Sequence, residues 1–474
     1  MFKNWSQTLL QAIAFLPALT LAQSVFAHVI VGNNGAYTQE DWTKDIILAS
    51  SFGIDAFVLN IGTPFEGTTA TQLSYAYLAA NSLINSGQGD FKLLISFDYL
   101  GGTAGPWTPA DIELILKAYG PKKSYFKVDG KPFVSTFEGT TSDQVNAWPG
   151  IRSALQSSVG EIYLVPCWTS LGPTGFDASL VDGAFSWDMW PNGPTDVNTL
   201  SDQTWQTTMK SSSKTFMMGV SPWFYTNLPQ YHKAWVWRGD NAWSLRWNQT
   251  LTLLPQFVEI VTWNDYGEAH YIGPILNNSG IPTGAETYVK NYPHEAWLQT
   301  LPFQISAYKH AYYNKNNNNN HPAPIIPSNK IIYWYRTTPA ATSSSSSSSS
   351  TTTNVVGNNA QSPTNPNGYQ QEYPLEEILQ DEVFAIVLAK EAGSATITIG
   401  SSTSAYYVVA GMNFFSKPWQ GNTGMVKVAM LGGRIEGSGV EILERPRDGV
   451  ENFNAWVGCA GECSGRPSGR VPPI

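Results

Sequence analysis

One pattern repeats along this chain: a short β-rich apolar run, a polar or glycine-containing loop, then a stretch with helical period. The apolar runs fall at 25–31, 56–61, 92–97, 132–137, 162–166, 183–187, 215–220 and 257–263, and helical stretches are predicted from about 39, over 69–86 and over 294–313. Eight strand–helix units over roughly 290 residues have the count and length of a (β/α)8 barrel. Asn60, Asp98, Glu138, Trp168, Asp188, Trp223 and Asp265 lie at or just past the carboxyl ends of their runs. That is the end on which barrels of this kind build their sites. A doubly wound open sheet is the alternative, but no glycine-rich phosphate fingerprint follows an early strand.

The pattern stops near residue 313. A polyasparagine run (316–320) and a polyserine run (343–350) flank a short strand-like segment near 331–336. Beyond 382 only strand-like runs remain, separated by glycine and polar residues, which describes a small antiparallel domain. The predicted division is a leader over 1–22 and a (β/α)8 TIM-like barrel over 23–315. A low-complexity connector then covers 316–381, and an antiparallel β-sandwich 382–474. Trp419, Trp456 and Tyr406 of the last part could line a sugar platform, though core packing is the plainer expectation.

Residues 1–22 have Lys3, an apolar centre and Ala22 at the end, the form of a secretory signal. No later stretch is long and apolar enough to span a bilayer, so a secreted protein outside the membrane is expected. Secretion would make Asn248 and Asn277, each in an Asn-x-Ser/Thr sequon, candidate glycan sites. It would also permit a bond between Cys459 and Cys463. With 27 basic against 36 acidic residues and no basic tract, the electrostatic signature of a nucleic-acid partner is missing. Charged residues make up only 13% of the chain, beside 18 Trp and 22 Tyr. Aromatic faces with neutral hydrogen-bonding partners suit an uncharged, hydroxyl-rich ligand such as a sugar.

The densest chemistry is the segment at 263–271, where Trp263, Asn264, Asp265, Tyr266, Glu268, His270 and Tyr271 follow the eighth run. Asp265 and Glu268, three apart, are the strongest carboxyl pair, since glycosidic cleavage needs a protonated carboxyl at the leaving oxygen and a second carboxylate. The plainer alternative is that one of them caps a helix. Asp98, Glu138 and Asp188, each beside an aromatic residue, are the competing carboxyls. Glu138 could pair with Asp265 or Glu268 across a barrel, or these three could bind sugar hydroxyls. His28, Asn60, Tyr99, Trp168, Trp190, Trp223, Trp263, Asn264, Tyr266 and His270 complete the candidate ligand-binding set. Nothing in the spacing of His28 and His270 indicates a metal, and no Gly-x-Ser-x-Gly elbow supplies a serine nucleophile.

These residues sit in motifs that resemble the fungal α-1,3-glucanases, or mutanases, of glycoside hydrolase family 71. The motifs are VFAHVIVGN (25–33), WTKDIILASSFGIDAFVLNIG (42–62), LISFDY (94–99), STFEG (135–139), WDMWP (187–191) and WNDYGEAHYIGP (263–274). The resemblance implies hydrolysis of α-1,3-glucan with inversion, without a cofactor, by Asp265 and Glu268. Glu268 is then expected as the acid and Asp265 as the base, in a monomeric enzyme. The rival expectations are a glucan-binding wall protein without turnover, and a barrel glycosidase acting on another glucan linkage.

Overall fold

The computed structural model describes residues 23–463 apart from 64–66, 103–104, 192, 232, 316–321, 341–372, 374 and 448. The expected leader and both low-complexity runs lie outside the described residues. The first half is a mixed α/β unit. Its parallel strands are β1 (Ser24–Ile30), β2 (Ala56–Ile61), β3 (Lys92–Asp98), β4 (Lys131–Phe137), β5 (Tyr163–Leu164), β6 (Gly183–Ser186) and β7 (Thr215–Val220). A hairpin, β8 (Tyr225–Leu228) and β9 (Lys233–Val236), precedes the last of them, β10 (Phe257–Ile260).

The parallel strands pair in the order β5-β4-β3-β2-β1-β10-β7-β6. They read as nearly unbroken apolar runs because both faces are covered; all six residues of β2 are buried. The sheet curls. Phe26 of β1 reaches Phe133 of β4, two strands beyond its nearest neighbour, with ring centroids 5.6 Å apart, and Phe133 meets Phe257 of β10 at 5.2 Å. At the two ends of this path, the Asp182 N–H donates to the Leu164 carbonyl (2.8 Å) and the Phe185 N–H to the Pro166 carbonyl (3.0 Å).

Helices fill most of the gaps: α1 (Gln39–Ser51), α2 (Thr69–Asn85), α3 (Pro109–Tyr119), α4 (Ser142–Leu155), α5 (Leu200–Ser211), α6 (Ala242–Leu253) and α7 (Leu301–Lys315). Local sequence starts several of them. Thr38 with Asp41, and Thr141 with Gln144, form reciprocal capping boxes, and Thr108 caps α3 ahead of Pro109. One expectation fails here. Only two single-turn 3-10 segments, Thr169–Leu171 and Ala178–Leu180, join β5 to β6, so the eight repeats are not all strand–helix units. The intervening glycines and Pro173 leave no helical stretch there.

The second half contains β11 (Lys330–Tyr335), β12 (Glu382–Ala389), β13 (Gly393–Ile399), β14 (Ser402–Val408), β15 (Gly411–Pro418), β16 (Gly424–Met430), β17 (Ile435–Ile442) and β18 (Trp456–Gly461). They form two four-stranded antiparallel sheets, β15-β12-β11-β18 and β14-β13-β16-β17. The strand-like segment near 331–336, expected within the connector, is thus an inner strand of the first sheet. Its period-two alternation explains this: Ile331, Tyr333 and Tyr335 enter the core shared with the second sheet, while Ile332 and Trp334 enter the core of the α/β unit. Trp419 and Trp456 are buried in the shared core rather than offered as a platform. Cys459 of β18 is bonded to Cys463, with Cα atoms 6.4 Å apart. Cys167 is buried and free. Among the described residues no helix is long and apolar enough to cross a membrane.

Candidate active site

Inward positions on β1 and β10 alternate, so Phe26 and Phe257 form an aromatic floor and His28 and Glu259 stand one layer above it. His28 Nδ1 lies 2.6 Å from Glu259 Oε1, and both side chains are buried. Trp187 meets the His28 ring edge-on at 5.3 Å. Glu259 was not among the sequence candidates. A single carboxylate at an inward position of an apolar strand is the signal that could have found it, because a buried charge needs a partner.

Above this layer the segment after β10 folds back on itself. The Thr262 N–H donates to the His270 carbonyl (2.9 Å), and the Ile272 N–H to that of Thr262 (3.0 Å). Thr262 Oγ1 accepts the Asp265 N–H (2.8 Å) and lies 3.0 Å from His270 Nδ1. Its hydroxyl proton is then free to be donated to Nδ1, which leaves the ring hydrogen on Nε2. His270 Nε2 is 3.0 Å from Glu268 Oε2, and Lys233 Nζ of β9 is 2.9 Å from Glu268 Oε1. Asp265 Oδ1 accepts the Glu268 N–H at 3.1 Å. Asp265, Glu268 and His270 present atoms within 4.8 Å of one another. Glu268 already has a donor on each oxygen, so a cation there would have to displace the Lys233 ammonium.

The two carboxyls are driven in opposite directions. Burial pushes Asp265 up, and the neighbouring charge of Glu268 pushes it further. Burial also acts to raise Glu268, but the Lys233 ammonium and the His270 hydrogen bond outweigh it and hold Glu268 well below the usual carboxylate range. Lys233 is raised in turn, chiefly by Glu268, with smaller contributions from Asp265 and Asp98. Lys233 was also missed. Two apolar runs flanking a loop with Pro229 are a hairpin signal, and the basic residue opening the second run was its readable part.

Asp98, at the end of β3, accepts the Leu100 N–H (2.9 Å) and the Gly101 N–H (2.7 Å). Burial raises it, opposed by those amides, by His28 and by a hydrogen bond from Asn60. Glu138, at the end of β4, has φ 52° and is followed by Gly139 at φ 89°. A Cβ at 139 would come within 2.6 Å of the Tyr99 ring, so glycine lets Tyr99 pack against this turn. Glu138 accepts hydrogen bonds from the Ser170 N–H (3.2 Å) and hydroxyl and from the Thr140 hydroxyl (3.3 Å), and burial raises it. Trp190 stacks on His270 at 5.5 Å and stays partly exposed.

The structure thus gathers Asp265, Glu268, His270, His28, Asn60, Asp98, Tyr99, Glu138 and Trp190 at one end of the sheet. Other candidates are engaged in structural contacts. Trp168, Trp223, Trp263, Asn264 and Tyr266 are at most 1% exposed and have structural partners. Trp168 packs edge-on against Phe176, and Trp223 Nε1–H donates to the Phe453 carbonyl (3.0 Å). Trp263 Nε1–H donates to Asp45 (3.0 Å), and Tyr266 hydrogen-bonds Ser279 (2.9 Å). Asn264 ties Ile30 and Asn34 to the segment after β10. Asp188 accepts the Ser201 hydroxyl (2.6 Å) and is raised by burial and then by Asp202, away from the pair.

The profile of glycosyl hydrolase family 71 matches residues 21–467. A Schizosaccharomyces pombe protein named glucan endo-1,3-alpha-glucosidase is 36% identical over 443 residues, 92% of this chain and 94% of that protein. A Penicillium rubens mutanase is 38% identical over 299 residues, 60% of this chain and 61% of its own length. An ascus wall endo-1,3-alpha-glucanase of S. pombe is 28% identical over 300 residues, 60% and 66% of the two chains. The chain belongs to glycosyl hydrolase family 71.

Proposed function

We propose that this protein is a secreted, monomeric hydrolase that cleaves α-1,3-glucosidic linkages of α-1,3-glucan with inversion of configuration. The observation that carries it is the Asp265–Glu268 pair, two adjacent carboxyls past a strand end whose surroundings drive their proton affinities in opposite directions. Family membership and the names of the relatives support the linkage. The fold is read as a closed (β/α)8 barrel carrying a β-sandwich, supported by the backbone bonds between β5 and β6. The sequon residues Asn248 and Asn277 are exposed, in keeping with a secreted glycoprotein.

The geometry favours a division of labour opposite to the one expected from the family resemblance. Glu268, with a donor on each oxygen, is a poor place for a proton, while burial and the Glu268 charge favour one on Asp265. Asp265 donates its proton to the glycosidic oxygen as the bond to C1 breaks, and Glu268 remains a carboxylate beside the developing positive charge. Inverting pairs usually stand roughly 6.5–9.5 Å apart to admit a water. Asp265 and Glu268 present carboxyl oxygens within 4.8 Å of each other, closer than that range. Asp98, whose charge also acts on Lys233, is the carboxylate assigned to take the proton of the attacking water. The hydroxyl joins C1, and the displaced sugar leaves with the proton of Asp265.

Purified protein is to be incubated with an α-1,3-linked oligosaccharide and, in parallel, a β-linked glucan, following reducing ends and product anomer by NMR. The β-anomer released first from the α-linked substrate supports the proposal. No release, first release of the α-anomer, or preference for the β-linked polymer overturns it.

A further inference from the structure

Lys233 reaches the carboxyl pair from outside the parallel strands, on the β8–β9 hairpin. That hairpin is built onto the catalytic segment. The Tyr225 N–H of β8 donates to the Glu268 carbonyl (3.1 Å). The Tyr225 ring meets Tyr288 at 5.0 Å, and the Tyr288 hydroxyl donates to the Gly267 carbonyl at 2.7 Å. At the tip, Gln230 Nε2 donates to the Thr283 carbonyl (2.7 Å). Phe224, just before β8, lies 5.7 Å from His270 and stacks on Trp235 of β9 at 5.6 Å. The lysine is thus placed by packing and backbone bonds on both sides of Glu268.

We propose that Lys233 is a positioning residue which holds Glu268 as a carboxylate and so leaves the working proton of the pair on Asp265. This rests on the glycosidase reading above. The titratable groups around the pair are Lys233 from the hairpin, His270 within the segment and Asp98 from β3, with His28 beside Asp98. Lys233 is the one whose ammonium contacts Glu268 directly and is held protonated. Two interacting carboxyls titrate as a pair, so a cation beside them lowers both macroscopic steps. Removing it raises both. The acid limb, set by protonation of Asp98, on which the Lys233 charge also acts, and the alkaline limb, where Asp265 loses its proton, should then move the same way.

The test is kcat/KM against pH on an α-1,3-glucan oligosaccharide for wild type, Lys233→Met, Lys233→Gln and Lys233→Arg, with thermal melts confirming folding. Both neutral variants should shift both limbs to higher pH by about one unit or more, with a lower maximum, while Lys233→Arg keeps the wild-type position. A neutral variant that loses activity without moving its limbs overturns the proposal. So does an arginine variant that shifts as far as methionine, or failure of both neutral variants to fold while the arginine variant does. An inactive wild type would instead sink the glycosidase reading itself.

Discussion

Beside the hairpin, Glu268 has a lysine ammonium on one oxygen and an imidazole nitrogen on the other, and it stays ionised. At the ends of β3 and β4, Asp98 and Glu138 have only amides and hydroxyls as close hydrogen-bond partners, and burial raises them. Both regions enclose carboxyls in a polar pocket over the same aromatic floor. What differs is whether a cation was brought in. The chain supplies that cation through an insertion between two parallel strands, not through the repeat itself. Charge state in this cleft is thus set by a decoration of the scaffold, while position is set by the strands.

Three sets of measurements would break or sharpen this contrast. The largest effect belongs to Asp265→Asn, expected to lower kcat by about 10³-fold or more through loss of the transferable proton. Its melting temperature should stay at the wild-type value or rise, since burial already disfavours the charged form. A variant retaining more than about a tenth of the wild-type rate would remove Asp265 from the acid role. Next in size, Asp98→Asn should cost about 10²-fold in kcat, whereas Glu138→Gln should act mainly through KM and by about tenfold. Equal losses in kcat from both would erase the distinction between the water-activating carboxyl and its neighbour.

The smallest effect concerns stability. Asp45 and Asp240, fully enclosed, are pushed to about 7 chiefly by burial, in the same direction as Asp98 and Glu138. An acid raised in the folded state holds a proton that the unfolded chain has already released. Its contribution is therefore present near pH 4 and lost as pH rises toward about 7. Melting temperature should fall between about pH 5 and pH 7. Asp240→Asn should flatten that slope. A slope unchanged by Asp240→Asn, measured by scanning calorimetry, would show that this carboxyl is not the one titrating.

Much of this was legible in the residues. Strands 56–61 and 215–220 appear where their apolar runs begin and end, because parallel strands buried on both faces leave little ambiguity. Asp265, Glu268 and His270 were found together because they are adjacent in sequence. The aromatic candidates fared worse. Trp168, Trp223 and Trp263 follow strands as Trp190 does, yet each has its ring turned into the core. Position past a strand fixes the end of the sheet, not the direction of a side chain. Lys233 and Glu259 were missed because their importance comes from partners 35 and 231 residues away. In β11 the strand itself was legible from its apolar residues, but the sheet it joins was not, because its partners β12 and β18 lie far along the chain.

Residues 453–455, near the start of β18, lie against the back of the catalytic segment. The Phe453 carbonyl accepts from Trp223, and the Ala455 carbonyl lies 2.9 Å from His294 Nε2. Asn454 Nδ2 donates to the Tyr271 hydroxyl (3.2 Å), and the His294 ring lies flat on Tyr271 at 4.0 Å. During translation, every carboxyl of the site leaves the ribosome well before these residues do. A chain stalled or clipped ahead of Phe453 carries every carboxyl of the proposed site and lacks the wall they are braced against. Activity then reports on finished synthesis, and a fragment trimmed to the α/β half is a poor starting point for engineering.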